Sequence, residues 1–126
     1  MNRKRIKIRV KRVYEEPDEA DGRRILVDRL WARGLSKDKA KVDVWVKEIA
    51  PSTELRHWYG HDPNKWAEFK SRYAVELNTK PDKVEEILGE VQMGIVTFLY
   101  SSKEEQLNNA VALKEYIEAL IHAESE

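Results

Sequence analysis

The sequence predicts a small α/β domain on a sheet that is at least partly parallel. Three observations lead there. The chain has 126 residues, enough to bury roughly two thirds of its unfolded surface without disulfides. Short apolar runs of strand character stand near both ends, at residues 6–10, 25–27 and 95–100. The long stretches before the last run carry helical periodicity, and helices that separate strands serve as crossovers in a parallel sheet. No linker, repeat or low-complexity segment divides the chain, so residues 1–126 read as one domain.

The first strand alternates Ile6, Ile8 and Val10 with Lys7, Arg9 and Lys11, which gives it one wet face. The alternation slips at Arg12 and Val13, where a strand end or bulge is expected. The polar residues 15–22 read as a solvated loop. Ile25, Leu26 and Val27 form a short continuous apolar run, as in a strand buried on both faces. Residues 42–49 fit either a strand or a helical turn. Ser52 is placed to cap a short helix that carries Leu55, Trp58 and Tyr59 inward and stops at Gly60. Asp62 followed by Pro63 opens a helix to about Leu77, with Trp66, Phe69, Tyr73 and Leu77 along one stripe. Pro81 opens another, where Val84, Ile87, Leu88 and Val91 keep i, i+3, i+4, i+7 spacing. Gly94 ends it, and residues 95–100 form a buried strand. Ser102 and Glu105 have capping-box spacing and are expected to start a last helix with Ala110, Leu113, Ile117 and Leu120 on one face.

The net charge is zero, from 23 basic and 23 acidic side chains, but the halves differ. Residues 1–50 hold 15 Lys/Arg against 9 Asp/Glu, and residues 51–126 hold 8 against 14. Such asymmetry marks either a polyanion surface or two halves that lie together and neutralise. A pI of 6.9 favours the second, because nucleic-acid domains are usually basic overall. The absence of cysteine excludes a disulfide framework, a thiolate metal site and a cysteine nucleophile. No apolar run reaches the ~18 residues of a membrane span, and the basic N-terminus leads into a strand instead of a signal-peptide core. A cytoplasmic location without a membrane partner is expected. The 37% charged residues and two glutamines also match the composition of thermophile proteins.

Three constellations could carry chemistry. The first is Asp28-Arg29-Leu30-Trp31-Ala32-Arg33-Gly34, at the carboxyl end of a buried strand, where open α/β sheets bind ligands. Two arginines beside a tryptophan suit an anion with a stacking wall, since each guanidinium matches phosphate or carboxylate as a fork. The plainer alternative is an Asp28–Arg29 ion pair with Trp31 in the core. The second is Tyr100-Ser101-Ser102-Lys103, between a strand end and a helix start. Free N–H groups, the helix dipole, two hydroxyls and a lysine would form an anion cradle there, against ordinary capping by Ser102. The third is residues 56–62, in which His57 and His61 have the spacing of a helical metal pair, but Gly60 interrupts the helix and no third ligand is evident. No metal site is expected, and a general acid or base role competes with plain surface histidine. Glycine-rich phosphate loops and the Gly-x-Ser-x-Gly elbow are absent, and nothing calls for a cofactor.

Residues 11–14, 21–34, 50–56 and 99–103 (Lys-Arg-Val-Tyr, Asp-Gly-Arg-Arg-Ile-Leu-Val-Asp-Arg-Leu-Trp-Ala-Arg-Gly, Ala-Pro-Ser-Thr-Glu-Leu-Arg and Leu-Tyr-Ser-Ser-Lys) resemble the domain-of-unknown-function family 488, DUF488, in its YeaO-like branch. The match follows nearly the whole chain in order. It implies a small cytosolic α/β protein with no assigned reaction and no catalytic residue to carry over. In the family pattern a proline usually stands where this chain has Ala32, and a histidine often where it has Leu107. Chemistry that relies on that histidine is therefore expected to be absent.

The expected site is an anion cleft of Arg29, Arg33, Arg56, Ser101, Ser102 and Lys103, with Tyr14, Trp31 and Tyr100 as walls. A phosphate-bearing small molecule or nucleotide is the expected ligand; no nucleophile–base pair and no oligomer can be named. The alternative is a nucleic-acid-binding module that uses the basic residues 3–12 with aromatic stacking.

Overall fold

The computed structural model describes residues 6–124. Strands β1 (Ile8–Arg12), β2 (Arg23–Leu26), β3 (Val44–Trp45) and β4 (Val96–Tyr100) form one sheet in the order β1-β4-β2-β3, and each neighbouring pair is parallel. Phe98 of β4 lies between Val10 and Ile25, so the two strand runs expected to share a sheet are direct neighbours. All four carboxyl ends therefore reach the same edge. β4, interior in the sheet, is buried along its whole length.

The helices are α1 (Lys37–Ala40), α2 (Thr53–Tyr59), α3 (Trp66–Asn78), α4 (Pro81–Gln92) and α5 (Asn109–Glu124). Ser52 caps α2 by accepting from the Leu55 N–H at 3.0 Å, and Gly60 ends it in the left-handed region at φ 53°. Asp62 and Pro63 open a 3-10 turn, Pro63–Lys65, that runs into α3. Pro81 stands in the first turn of α4.

The apolar stripes of α2 to α5 meet one face of the sheet, where Ile25, Val96, Phe98 and Tyr100 pack with Leu55, Phe69, Tyr73, Ile87, Leu113 and Ile117. Each fully buried side chain of this size stabilises the fold by about 1.5–3 kcal/mol. A smaller core of Val13, Leu26, Leu99, Ala32 and Ala40 fills the other face, with Trp31, Leu35 and Val42 packed against it.

Two expectations need correction, and two open readings gain detail. The polar stretch 15–22 is not all solvated. A 3-10 turn at Glu19–Asp21, capped by Asp18, turns Asp21 inward to 0% exposure. Its carboxylate takes Arg24 at 2.6 Å, Lys11 at 3.1 Å and Arg9 at 3.7 Å. Residues 42–49 are both things in turn, the short β3 and then a 3-10 turn at Lys47–Ile49. The last helix does not start at Ser102. Asn108 precedes α5 and accepts the Val111 N–H at 3.0 Å, while Ser102 Oγ only approaches Glu104 O at 3.5 Å. Finally, the two halves lie together, β4 of the second between β1 and β2 of the first, but few of their charges pair directly. Of eight ion pairs among the described residues, two, Arg23–Glu90 and Lys83–Glu48, cross between them. Residues 3–5 of the basic segment lie outside the described residues.

A candidate anion site at the carboxyl edge of the sheet

A concave pocket of about 630 Å³ opens among the segments that leave the carboxyl ends of β1, β2 and β4. Tyr14 comes from the first of these segments and Asp28, Arg29, Leu30, Trp31 and Arg33 from the second. Ser101 and Ser102 come from the third. Arg56 and His57 from α2, with His61 just beyond it, make the facing wall, and Asn108 and Asn109 stand where α5 begins. Seven of the nine residues named from the sequence line this pocket: Arg29, Arg33, Arg56, Ser101, Ser102, Tyr14 and Trp31.

The other two do not. Tyr100 lies on the helical face of β4, buried in the main core at 3% exposure, and burial pushes its phenol above the ordinary range. Lys103 is exposed and outside the lining. The helix start expected to supply the cradle is not there either, since α5 begins at Asn109, and the Ser101 N–H is already taken. Asp28 Oδ2 accepts both the Ser101 N–H (2.8 Å) and the Ser101 hydroxyl (2.7 Å). Glu104 accepts the N–H groups of Gln106 and Leu107, each at 3.0 Å, and these hold its carboxyl below the ordinary carboxylate range. The carbonyls of Ser101 and Ser102 are bound from below by the Arg12 guanidinium at 3.2 and 2.8 Å.

Asp28 is a clamp and not the partner of Arg29. Its second oxygen accepts the Asn109 amide at 3.1 Å, and its carbonyl accepts the Trp45 indole N–H at 2.8 Å. One residue thus joins the ends of β2 and β4 to the start of α5 and the edge strand. Arg29 points elsewhere. Its Nη2 lies 3.4 Å from the carbonyls of Ala50 and Pro51, at the limit of a hydrogen bond, and its buried Nε has no partner. Lys80 also reaches the Ala50 carbonyl at 3.3 Å, and burial together with the Arg29 charge pushes its ammonium down. Arg33 sits on an exposed turn strapped to β1 by the Tyr14 hydroxyl, which donates to the Arg33 carbonyl at 2.8 Å. Trp31 donates to the Leu35 carbonyl at 2.7 Å and meets Trp45 edge-on at 5.5 Å.

Three arginines and two histidines therefore face a pocket whose one lining carboxylate, Asp28, is taken up by neutral donors. None of Arg29, Arg33 and Arg56 forms an ion pair among the described residues. Tyr59 stacks on Phe69 at 4.3 Å in the floor and donates to the Leu107 carbonyl at 2.7 Å, which ties α2 to the segment before α5. Leu107, where the family pattern often has histidine, presents this carbonyl. The lining also holds His57 and His61, which the sequence marks only as a separate constellation, and the Asn108–Asn109 pair, which it does not mark as part of a site. Two amides directly before the apolar stripe of α5 were the signal available for the last of these.

Comparison with known proteins gives a consistent picture. The family model described as the inactive DUF488-N3 subclade matches residues 7–126. Uncharacterized proteins of Mycobacterium tuberculosis and Mycobacterium bovis are 53% identical over 72 residues, which is 57% of this chain and 61% of theirs. The chain thus spans about three fifths of the length of these relatives. The uncharacterized protein YeaO of Escherichia coli K12 is 38% identical over 113 residues, 90% of this chain and 98% of that one. No solved structure matches the chain.

Proposed function

Since the chain belongs to the DUF488 family, by the match to its N3 subclade and to YeaO, we propose that it is a binding protein for a small phosphate-bearing molecule, held in the cationic cleft at the carboxyl edge of its parallel sheet. The observation that carries this reading is the unmatched charge. Arg29, Arg33 and Arg56 converge on one concavity without a carboxylate partner, and the buried Nε of Arg29 lacks any acceptor. A buried polar atom without a partner costs about 1–3 kcal/mol, a cost that an anion would remove by drawing the Arg29 side chain toward it. Tyr14 and Trp31 give the cleft an aromatic side on which a flat group can rest. The subclade description "inactive" accords with binding without turnover. So does the arrangement of Ser101, whose hydroxyl donates straight to Asp28 with no histidine between them.

The nucleic-acid alternative has less to stand on. Lys11 and Arg9 of the basic strand face Asp21, and Arg12 is bound to the carbonyls of Ser101 and Ser102. Thermal unfolding with added inorganic phosphate, pyrophosphate and nucleoside monophosphates tests the proposal. Wild type should be stabilised by at least one of them. Arg33→Ala should melt at nearly the wild-type temperature and lose that stabilisation. Stabilisation by random-sequence DNA alone, with steep salt dependence, would favour the nucleic-acid reading instead.

A further inference from the structure

His57 and His61 stand on the cleft wall beside Arg56, one in the last turn of α2 and the other past its Gly60 cap. A straight helix would place residues four apart one above the other. Here Gly60 at φ 53° and His61 at φ 57° are consecutive left-handed residues, and the chain turns so that both rings line the same pocket. A non-glycine residue in that region is uncommon, though histidine is among the more tolerant, and such a conformation persists where its surroundings hold it. The His61 ring is held against Tyr59, centroids 5.7 Å apart.

The charged groups of the adjoining segments are engaged elsewhere. Asp62 caps the next turn through the Asn64 N–H, Glu104 accepts from Gln106 and Leu107, and Asp28 accepts from Ser101 and Asn109. Lys65 donates to the Trp58 carbonyl, and the Tyr59 phenol donates to Leu107. Glu104 is near enough to His61 for their charges to interact, but neither histidine forms an ion pair among the described residues. Arg56 stands beside them on the same wall, and Arg29 and Arg33 line the cleft with them. A proton taken up by either ring therefore adds positive charge to a cleft already rich in it. A bound dianion favours that added charge.

We propose that His57 and His61 are the proton-linked part of the anion site, so that a dianion binds more tightly as pH falls through the histidine range, between about pH 8 and pH 5. The proposal rests on the anion-cleft reading. Thermodynamic reciprocity requires that the bound dianion in turn favour protonation of both rings.

Sulfate is the probe of choice, because it stays a dianion across this range, whereas phosphate groups change protonation state within it, a phosphate monoester with a second pKa of about 6. Calorimetric titration of the full chain at fixed low ionic strength should show sulfate binding about five- to tenfold tighter at pH 5.5 than at pH 8, a coupling of ordinary size. The double variant His57→Gln/His61→Gln should lose most of that slope, whereas His122→Gln, outside the cleft, should keep it. By NMR, the imidazoles of His57 and His61 should titrate at higher pH in saturating sulfate than without it. Sulfate binding by wild type with no pH dependence overturns this proposal and leaves the cleft reading intact. A wild-type slope in the double variant, or imidazole titrations indifferent to sulfate, overturns it as well. No sulfate binding at any pH overturns both readings.

Discussion

Asp21 and Asp28 flank β2, one before its amino end and one after its carboxyl end, and each gathers several donors around one carboxylate. The donors differ in kind. Asp21 takes three cations, Arg24, Lys11 and Arg9, and is itself fully enclosed. Every part of the Arg24 guanidinium finds an acceptor, in Asp21 or in the carbonyls of Ala40 and Lys41 that end α1. Asp28 instead takes a peptide N–H, a hydroxyl and an amide, all neutral. The arginines at its end of the strand are left without a counter-charge. Matched charge holds a scaffold together, and unmatched charge around a concavity marks where a ligand can bind.

The largest effect is expected at the matched end. Asp21→Asn leaves Arg24 and Lys11 without their counter-charge in a buried setting and should destabilise by about 3–5 kcal/mol in denaturant unfolding. An effect below about 1 kcal/mol would mean that the cluster is no more than a surface pairing. The pH dependence follows from the same contacts. Burial alone would raise the Asp21 carboxyl, but the Asp18 N–H, Lys11 and Arg24 outweigh it and hold the group below its ordinary value of 3.8. Its contribution is therefore complete above about pH 4 and fades as pH falls through the lower folded-state value. The stability gap between wild type and Asp21→Asn should shrink steadily in acid, and a gap unchanged at pH 2 would contradict the assignment.

At the unmatched end the expected loss is in binding, not in stability. Arg33→Ala and Arg56→Ala should each weaken phosphate or sulfate binding by about tenfold or more, the worth of a charge-assisted hydrogen bond, while their unfolding curves stay close to wild type. A smaller contrast separates two serines and an asparagine. Asn108→Ala should cost about 0.5–2 kcal/mol as the loss of the α5 cap, and Ser52→Ala a similar amount at α2. Ser102→Ala should stay within about 0.5 kcal/mol. If Ser102 proved the costly one, α5 would begin earlier and the turn after β4 would have to be redrawn.

Ser102 also shows where the sequence stopped being legible. Strands, apolar stripes and the caps at Ser52, Asp62 and Pro81 could all be read because each joins a local signal to an apolar period that agrees with it. Between residues 101 and 109 the only apolar side chain is Leu107, so a helix started at Ser102 would bury almost nothing in its first turns. Ser-x-x-Glu matched a motif, but Glu104 made a turn of those residues and the helix waited for the stripe that begins at Ala110. The Asp21 cluster was illegible for a different reason. Asp18 three residues before Asp21 hints at the turn, but the partners Lys11 and Arg24 are chosen by strand pairing through β4. Arg29 and Arg33 were legible as pocket-lining residues because they follow a strand whose burial on both faces places its end inside the sheet, next to a neighbour's end. His57 and His61 stand out in the sequence as a histidine pair but not as part of the anion cleft, because the left-handed backbone that brings both to one wall leaves no trace in periodicity.

The contrast between matched and unmatched arginine can be measured on the two guanidinium groups themselves. In a ¹⁵N-resolved NMR titration with sulfate at low, fixed ionic strength, the Nε–H signal of Arg29, whose buried nitrogen has no acceptor, should move progressively and saturate. The Nε–H signal of Arg24, already bound to the Ala40 and Lys41 carbonyls, should stay in place. If the Arg29 signal does not move, or if both signals drift together without saturating, the carboxyl edge of the sheet is not an anion site.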